Sequence, residues 1–333
     1  VRRVVSGIDR ITGFQYYVSN RSHTLWDCNV DRLKKPRARS GAEATTAVWD
    51  GRRNLMNFNG KRVLITGASM GLGRALAREC AHRGMRLFLA ALPDSGLPAL
   101  AGELEGEYGV ETSWLEGDLT EAATLERLRT RIEAEGLDID LLINNAGIGT
   151  PGHFLDHSLE YHEATIELNT LSLVRLVRLL LPGLRRRNAA ILNVASLGAF
   201  FPMPTMPIYA ATKSFVLHFS LALREELGGA VGVSVLCPNA IRTTPDVNRY
   251  IDNLGPLARW ACFTPECIAR AALDGVSRNR AVIVPGTVNR IIASLSPVVP
   301  RALINRTIRH YWGTFLRCGC GKLAPAGGGA DHA

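Results

Sequence analysis

The chain has 333 residues, of which 47% are hydrophobic and 21% charged, enough to bury the core of one large α/β domain or two small ones. Its formal charge of +9 sits at the ends: residues 1–55 hold 11 basic and 5 acidic residues, residues 288–333 hold 6 and 1, and the centre holds 22 against 24. A basic balance confined to the ends excludes a nucleic-acid-binding body and leaves open a contact between those ends and an anionic membrane surface. Seven Cys without a paired C-x-x-C spacing exclude a disulfide scaffold and a structural zinc site, and fit a reducing, cytoplasmic setting. No apolar run approaches the ~18 residues of a spanning helix, and the first residues lack the apolar middle of a secretory signal.

Residues 1–55 carry apolar side chains without period and a basic, Pro-broken run at 32–39. They read as a poorly ordered extension, either a start-site artefact ahead of Met56 or a basic anchoring arm. From Arg62 the pattern changes. Arg62 to Thr66 is a short apolar run of buried-strand type, Gly67-Ala68-Ser69-Met70-Gly71-Leu72-Gly73 follows, and Arg74 to Arg83 reads as helix. Strand, glycine turn and helix together make a phosphate site, because glycines let the backbone approach a pyrophosphate at a helix N-terminus.

The alternation then continues. Strands are expected at 85–91, 111–116, 139–143, 189–195, 231–236 and 281–284, with helices at 97–108, 119–135, 161–187 and 207–227. Helix-length connections between apolar strands require a parallel sheet covered on both faces, so the fold class is α/β, a doubly wound parallel sheet over residues 56–288. Ligands in such sheets bind beyond the strand C-termini, where the glycine turn, Asp118, Asn145, Ser196 and Pro238-Asn239 all fall.

The helix at 207–227 holds Tyr209 and Lys213, four apart and therefore on one face. A phenol with an unperturbed pKa of ~10 needs about 4 kcal/mol of selective stabilisation to titrate near neutrality, and an ammonium ~4 Å away in a partly buried site supplies that much. The pair is expected to exchange a proton with a carbonyl or alcohol oxygen. Between Arg62 and Gly321, Lys213 is the only lysine, which sets it apart from the arginines of that stretch.

Thr66-Gly67-x-x-x-Gly71-x-Gly73, Asn144-Asn145-Ala146-Gly147, Asn169, Ser196 and Tyr209-x-x-x-Lys213 occur in one order along residues 58–288. In this the chain resembles the short-chain dehydrogenase/reductase family, most closely a bacterial branch with Tyr-Ala-Ala-Thr-Lys and a Thr-Pro-Glu helix start, here Thr264-Pro265-Glu266. The resemblance implies a Rossmann-type fold and an NAD(P)-dependent oxidoreductase. It makes Tyr209 the general acid or base and gives Lys213 two tasks, lowering the Tyr pKa and holding the nicotinamide ribose. Ser196 would bond the substrate oxygen, and Asn169 would bind a relay water. It further implies cofactor contacts at Gly67, Ser69, Met70, Gly71, Leu72 and Gly73, at Asp118 and Leu119 near the adenine, at Asn145, Ala146 and Gly147, and at Pro238, Asn239 and Thr243.

Departures from that pattern carry their own expectations. Asn239 replaces the usual Gly, and Asn tolerates the left-handed backbone such a turn uses. After the second strand stands Ala90-Ala91-Leu92-Pro93-Asp94 in place of a ribose-binding carboxylate, which leans the cofactor from NAD to NADP, with Arg74 as helper. Ile251, Leu254, Leu257, Trp260 and Phe263, with the loop from Phe200 to Pro204, would either line a pocket for a lipophilic carbonyl or alcohol or pack the lid on the body. A 3-oxoacyl-type reductase and a non-catalytic dinucleotide-binding protein are the alternatives. Residues 289–317 read as basic amphipathic helices suited to docking, to a homo-oligomer contact or to a membrane surface, and 318–333 as a disordered tail.

Overall fold

The structure is a computed structural model that describes residues 6–8, 15–17, 56–242, 262–296, 298–300, 303 and 306. In the N-terminal unit, β1 (Ser6–Ile8) and β2 (Gln15–Tyr17) form an antiparallel pair, with Gly7 opposite Tyr16. The second unit is built on seven parallel strands: β3 (Arg62–Thr66), β4 (Arg86–Ala91), β5 (Thr112–Glu116), β6 (Leu141–Asn144), β7 (Ala190–Val194), β8 (Gly232–Leu236) and β9 (Val282–Ile283). Their order in the sheet is β5-β4-β3-β6-β7-β8-β9, so the chain reverses its winding between β3 and β6. That reversal opens a crevice at the strand C-termini, where α/β sheets bind ligands.

The helices are α1 (Gly71–His82), α2 (Leu97–Tyr108), α3 (Ala122–Ala134), α4 (Leu159–Ile166), α5 (Ser172–Arg186), α6 (Pro207–Leu227), α7 (Pro265–Ser277) and α8 (Thr287–Leu295). Strand side chains alternate between the two faces. Val63, Ile65, Leu87 and Leu89 pack with Leu76 of α1, Leu100 of α2 and Ile268 of α7. Leu64, Phe88, Leu142 and Ile191 pack on the other side with Leu128 of α3, Leu176 of α5 and Val216 of α6. All five residues of β3 are buried, and each fully buried aliphatic side chain contributes about 1.5–3 kcal/mol. At the end of the sheet away from the crevice, the buried Asp140 carboxylate accepts from the Arg62 amide at 3.0 Å and from Arg187 Nε at 3.3 Å, tying β3 to the C-terminal end of α5.

Two boundaries coincide with expectation because their signals are local. β3 is bounded by Lys61 and the glycine turn, and α6 starts with Pro207 at its first turn and ends at the left-handed Gly228. The long helix expected over 161–187 is instead α4 and α5 joined by a π-helical turn, Glu167–Leu171. Among the described residues no helix is long and apolar enough to cross a membrane. Thr243, Ile251, Leu254, Leu257, Trp260, most of residues 301–317 and the tail lie outside the described residues.

Candidate active site

The glycine turn fits a dinucleotide on its own geometry. Gly67 and Gly71 take positive φ angles of 62° and 54°, and a Cβ on Gly73 would fall on the Gly67 carbonyl oxygen. α1 starts at an extended Met70 with no side-chain cap and no acidic residue in its first turn, which leaves its N-terminal amides and dipole for an anion. Met70 is exposed and Ser69 half-buried beside it, while Leu72 packs in the core.

The neighbouring strand end holds this turn in place. The Thr66 hydroxyl accepts from the amides of Asn145 and Ala146 at 3.0 and 3.1 Å, and Asn145 Nδ2 donates to the carbonyls of Thr66 and Gly67, both at 3.0 Å. Asn145, expected on the ribose side, therefore acts as a strut between β3 and β6. Asp118 follows β5, and one of its carboxylate oxygens accepts from both the amide and the hydroxyl of Thr120 at 2.8 Å, shaping the turn beside the buried Leu119. Arg74, the expected partner of a 2′-phosphate, is ion-paired with Glu103 of α2 at 2.8 Å.

The remaining groups gather at the ends of β6, β7 and β8. Lys213 is buried and its Nζ donates to the Val194 carbonyl at 2.9 Å, while the same ammonium lies 5.7 Å from the centroid of the Tyr209 ring. A Cβ on Gly147 would meet Asn169 Oδ1 at 2.9 Å and Lys213 Nζ at 3.2 Å, so amide and ammonium flank that glycine together. Asn169 owes its place to the π turn, whose extra residue directs the side chain inward to 1% exposure. It is held on every side: Nδ2 donates to the Ile148 carbonyl at 2.9 Å and to Thr212 Oγ1 at 3.1 Å, and Oδ1 accepts from the Ile148 amide at 2.9 Å. Ser196 follows β7, accepts from the Gly198 amide at 3.1 Å, and lies close enough to the Tyr209 phenol to pull its pKa down.

The electrostatics differ from the sequence expectation. Burial pushes the Tyr209 phenol above its usual value, against a smaller downward pull from the Ser196 hydrogen bond. Burial also brings the Lys213 ammonium down to about 8. Desolvation opposes the charged form of both groups, so the phenol stays protonated and the lysine is the group that titrates near neutrality.

Sequence reasoning gave no role to four neighbours. Gly149 lies against the Tyr209 ring, so any side chain there would strike it. Thr212, inside the Tyr-x-x-x-Lys spacing, bridges Asn169 to the Tyr209 carbonyl, which accepts from its hydroxyl at 2.8 Å. Cys237, at the end of β8, is fully buried beside Tyr209 and Lys213, and burial pushes its thiol up to about 12. Thr66 is the fourth, and its place at the last strand position before the glycine turn was the available signal.

Pro238 accepts from the Leu197 amide at 2.7 Å, joining β8 to the segment after Ser196. Asn239 is absent from the described non-glycine residues of positive φ, so the left-handed turn foreseen for it does not form. Its amide instead donates to Asn289 of α8 at 3.1 Å, a tie that glycine has no side chain to make. On the substrate side, Met203, Met206 and Ala210 form an apolar cluster against which Phe201 and Tyr209 pack.

A parallel doubly wound sheet, an uncapped glycine turn and a Tyr/Lys/Ser/Asn group with its Lys and Asn buried define a dinucleotide-binding α/β protein. The model of the short chain dehydrogenase family matches residues 61–253, and the chain belongs to that family. It is 36% identical over 192 residues to the very-long-chain 3-oxoacyl-CoA reductase of Anas platyrhynchos and 31% identical over 268 residues to that of Bos taurus. The matched stretches cover 56% and 78% of this chain, and 61% and 81% of those relatives. Among solved structures, a short-chain dehydrogenase from Sphingobium yanoikuyae in complex with NADPH is 33% identical with a TM-score of 0.60, over 81% of this chain and 98% of that one.

Proposed function

We propose that the protein interconverts a lipophilic ketone and its secondary alcohol, with Tyr209 as the group that exchanges a proton with the substrate oxygen. The observation that carries this reading is the convergence of Tyr209, Ser196, Lys213 and Asn169 beside a glycine turn that fits a dinucleotide. NAD(P)H, when bound, supplies the hydride that the carbonyl carbon accepts. The chain's own residues handle the charge and the proton. Ser196 donates to the substrate oxygen as negative charge develops there. Tyr209, kept protonated by burial, then delivers its proton to that oxygen, and Lys213 stabilises the resulting phenolate. Asn169 fixes the Ile148 backbone and, through Thr212, the turn of α6 that carries Tyr209.

Apolar Met203, Met206 and Phe201 beside Tyr209 support a lipophilic substrate. The names of the duck and bovine relatives favour a 3-oxoacyl thioester as the second reading. The carboxylate-free end of β4 and the NADPH-bound bacterial relative support NADP over NAD. The test is consumption of NADPH and of NADH with carbonyls graded by chain length. Rates rising with chain length are expected, and a preference for small polar ketones would reject the lipophilic reading.

A pH profile offers a second check. Lys213, brought from 10.5 to about 8, is an ammonium below that pH and loses its proton above it. The kcat/KM for reduction is therefore expected to hold to about pH 8 and fall tenfold per pH unit beyond it, as for loss of one essential proton. A profile flat to pH ~9.5 would detach the ammonium from the reaction.

The protein also acts as a homo-oligomer in this reading. Ile166, Leu171 and Phe215 of α4, the π turn and α6 are 45%, 43% and 43% exposed, and Phe215 stacks on Phe219 at 5.8 Å. Large apolar side chains left open on neighbouring elements suit a partner surface. Light scattering is expected to give a multiple of the chain mass, and Phe215→Asp to reduce it to one chain. A monomeric wild type would reject the contact.

A further inference from the structure

Tyr209 forms part of the wall of a small cleft between the β6–α4 connection and the N-terminus of α6. Of the seven buried side-chain polar atoms without a hydrogen-bond partner among the described residues, three belong to residues of this wall: His157 Nε2, His162 Nδ1 and Thr205 Oγ1. His162 and Thr205 are each 6% exposed, so bulk water does not serve them. They share one neighbourhood. Gly152 donates its amide to the Thr205 carbonyl at 3.0 Å, and a Cβ on Gly152 would meet His157 Nε2 at 2.5 Å.

The chemistry of the unpaired atoms is legible. His162 Nε2 lies 2.9 Å from the Phe154 carbonyl oxygen, which only accepts, so Nε2 carries the proton and Nδ1 of the neutral ring is an acceptor in need of a donor. Thr205 offers a hydroxyl that both donates and accepts. The rings are held in place: Phe154 stacks on His162 and Tyr161 on His157, each with centroids 4.6 Å apart, and the Tyr161 hydroxyl accepts from the Thr150 amide at 2.7 Å. Buried polar atoms are ordinarily paired, and three orphans around one cleft mark a place built for a partner.

We propose that this wall is a subsite for a hydroxyl group of the substrate, so that the preferred substrate is a lipophilic hydroxyketone with its carbonyl at Tyr209 and its hydroxyl against His162 and Thr205. A hydroxyl carries both the donor that His162 Nδ1 lacks and an acceptor for the Thr205 hydroxyl. A second carbonyl or a carboxylate brings no donor for Nδ1, and an ammonium accepts from neither residue. The inference rests on the reading of Tyr209 as proton donor and narrows it.

The test compares lipophilic ketones bearing a hydroxyl one, two or three carbons from the carbonyl, each beside its methyl ether and its deoxy parent, by kcat/KM with NADPH and NADH. At one spacing the hydroxyketone is expected to exceed its deoxy parent by about 10-fold or more, because a site that bonds a hydroxyl discriminates against the analogue lacking it. The methyl ether, which cannot donate, should lose the advantage. Thr205→Val and His162→Phe should each bring the ratio toward 1, and Thr205→Ser should restore it. Thermal unfolding and turnover of the deoxy parent identify any variant that has lost its fold, and the other variant then decides. A wild-type ratio near 1 at every spacing, or one that survives both substitutions, overturns the subsite while leaving the reductase reading in place. No turnover of any ketone overturns the reading of Tyr209 beneath it.

Discussion

Tyr209→Phe is expected to lower turnover by about 10²–10⁴-fold, the usual worth of a positioned proton donor, and to leave nucleotide affinity nearly unchanged. Phenylalanine retains the ring that packs beside Gly149 and the Met203–Met206–Ala210 cluster. It loses only the hydroxyl that faces Ser196, whose oxygen still accepts from the Gly198 amide. Binding and chemistry therefore separate in this variant. Titration of nucleotide fluorescence reads the first, and single-turnover oxidation of NADPH with the best ketone reads the second. Turnover within about threefold of wild type would remove Tyr209 from the proton-transfer step, since a loss that small is well below the range for such a donor.

The other large effect is expected at Gly73, where a single methyl group has no room. A Cβ there would clash with the Gly67 carbonyl oxygen and come within 2.7 Å of Asn145 Nδ2, the two atoms whose hydrogen bond ties the glycine turn to β6. Gly73→Ala must push α1 off the turn or break that strut, and overpacking of this kind costs about 1–3 kcal/mol, or ~5- to 150-fold in nucleotide affinity when the strain is relieved at the binding surface. Gly102→Ala serves as the comparison. Gly102 lies within α2 with open space around it, so alanine should leave affinity unchanged and stabilise the helix by about 0.5–1 kcal/mol. Equal nucleotide affinities for the two variants would show that the Gly67–Gly73 approach is not what shapes the site.

Much of the framework is legible in the chain because its causes are local. The apolar runs at Arg62–Thr66 and Ala190–Val194 are too short for helices and have both faces buried, as a covered parallel sheet requires. Pro207 and Gly228 delimit α6 by their own backbone preferences. Where signals overlap, boundaries move: α1 begins at Gly71 rather than at Arg74, because glycines that form the turn also enter the first helical turn. The π turn at Glu167–Leu171 has no periodic signature, since one added residue leaves the apolar pattern on either side intact.

The sequence by itself determined a parallel α/β sheet and put Tyr209 and Lys213 on one helical face, because strand burial and helical spacing act between near neighbours. Only the tertiary structure decided what those side chains meet. Asn169 reaches Thr212 across 43 positions, and Lys213 reaches Val194 across 19. Asn239 turns to Asn289 instead of adopting a left-handed backbone. Burial, which no spacing reports, raises the phenol and lowers the ammonium. Desolvation depends on every element packed around a group, so the proton chemistry of this site is a property of the assembled fold.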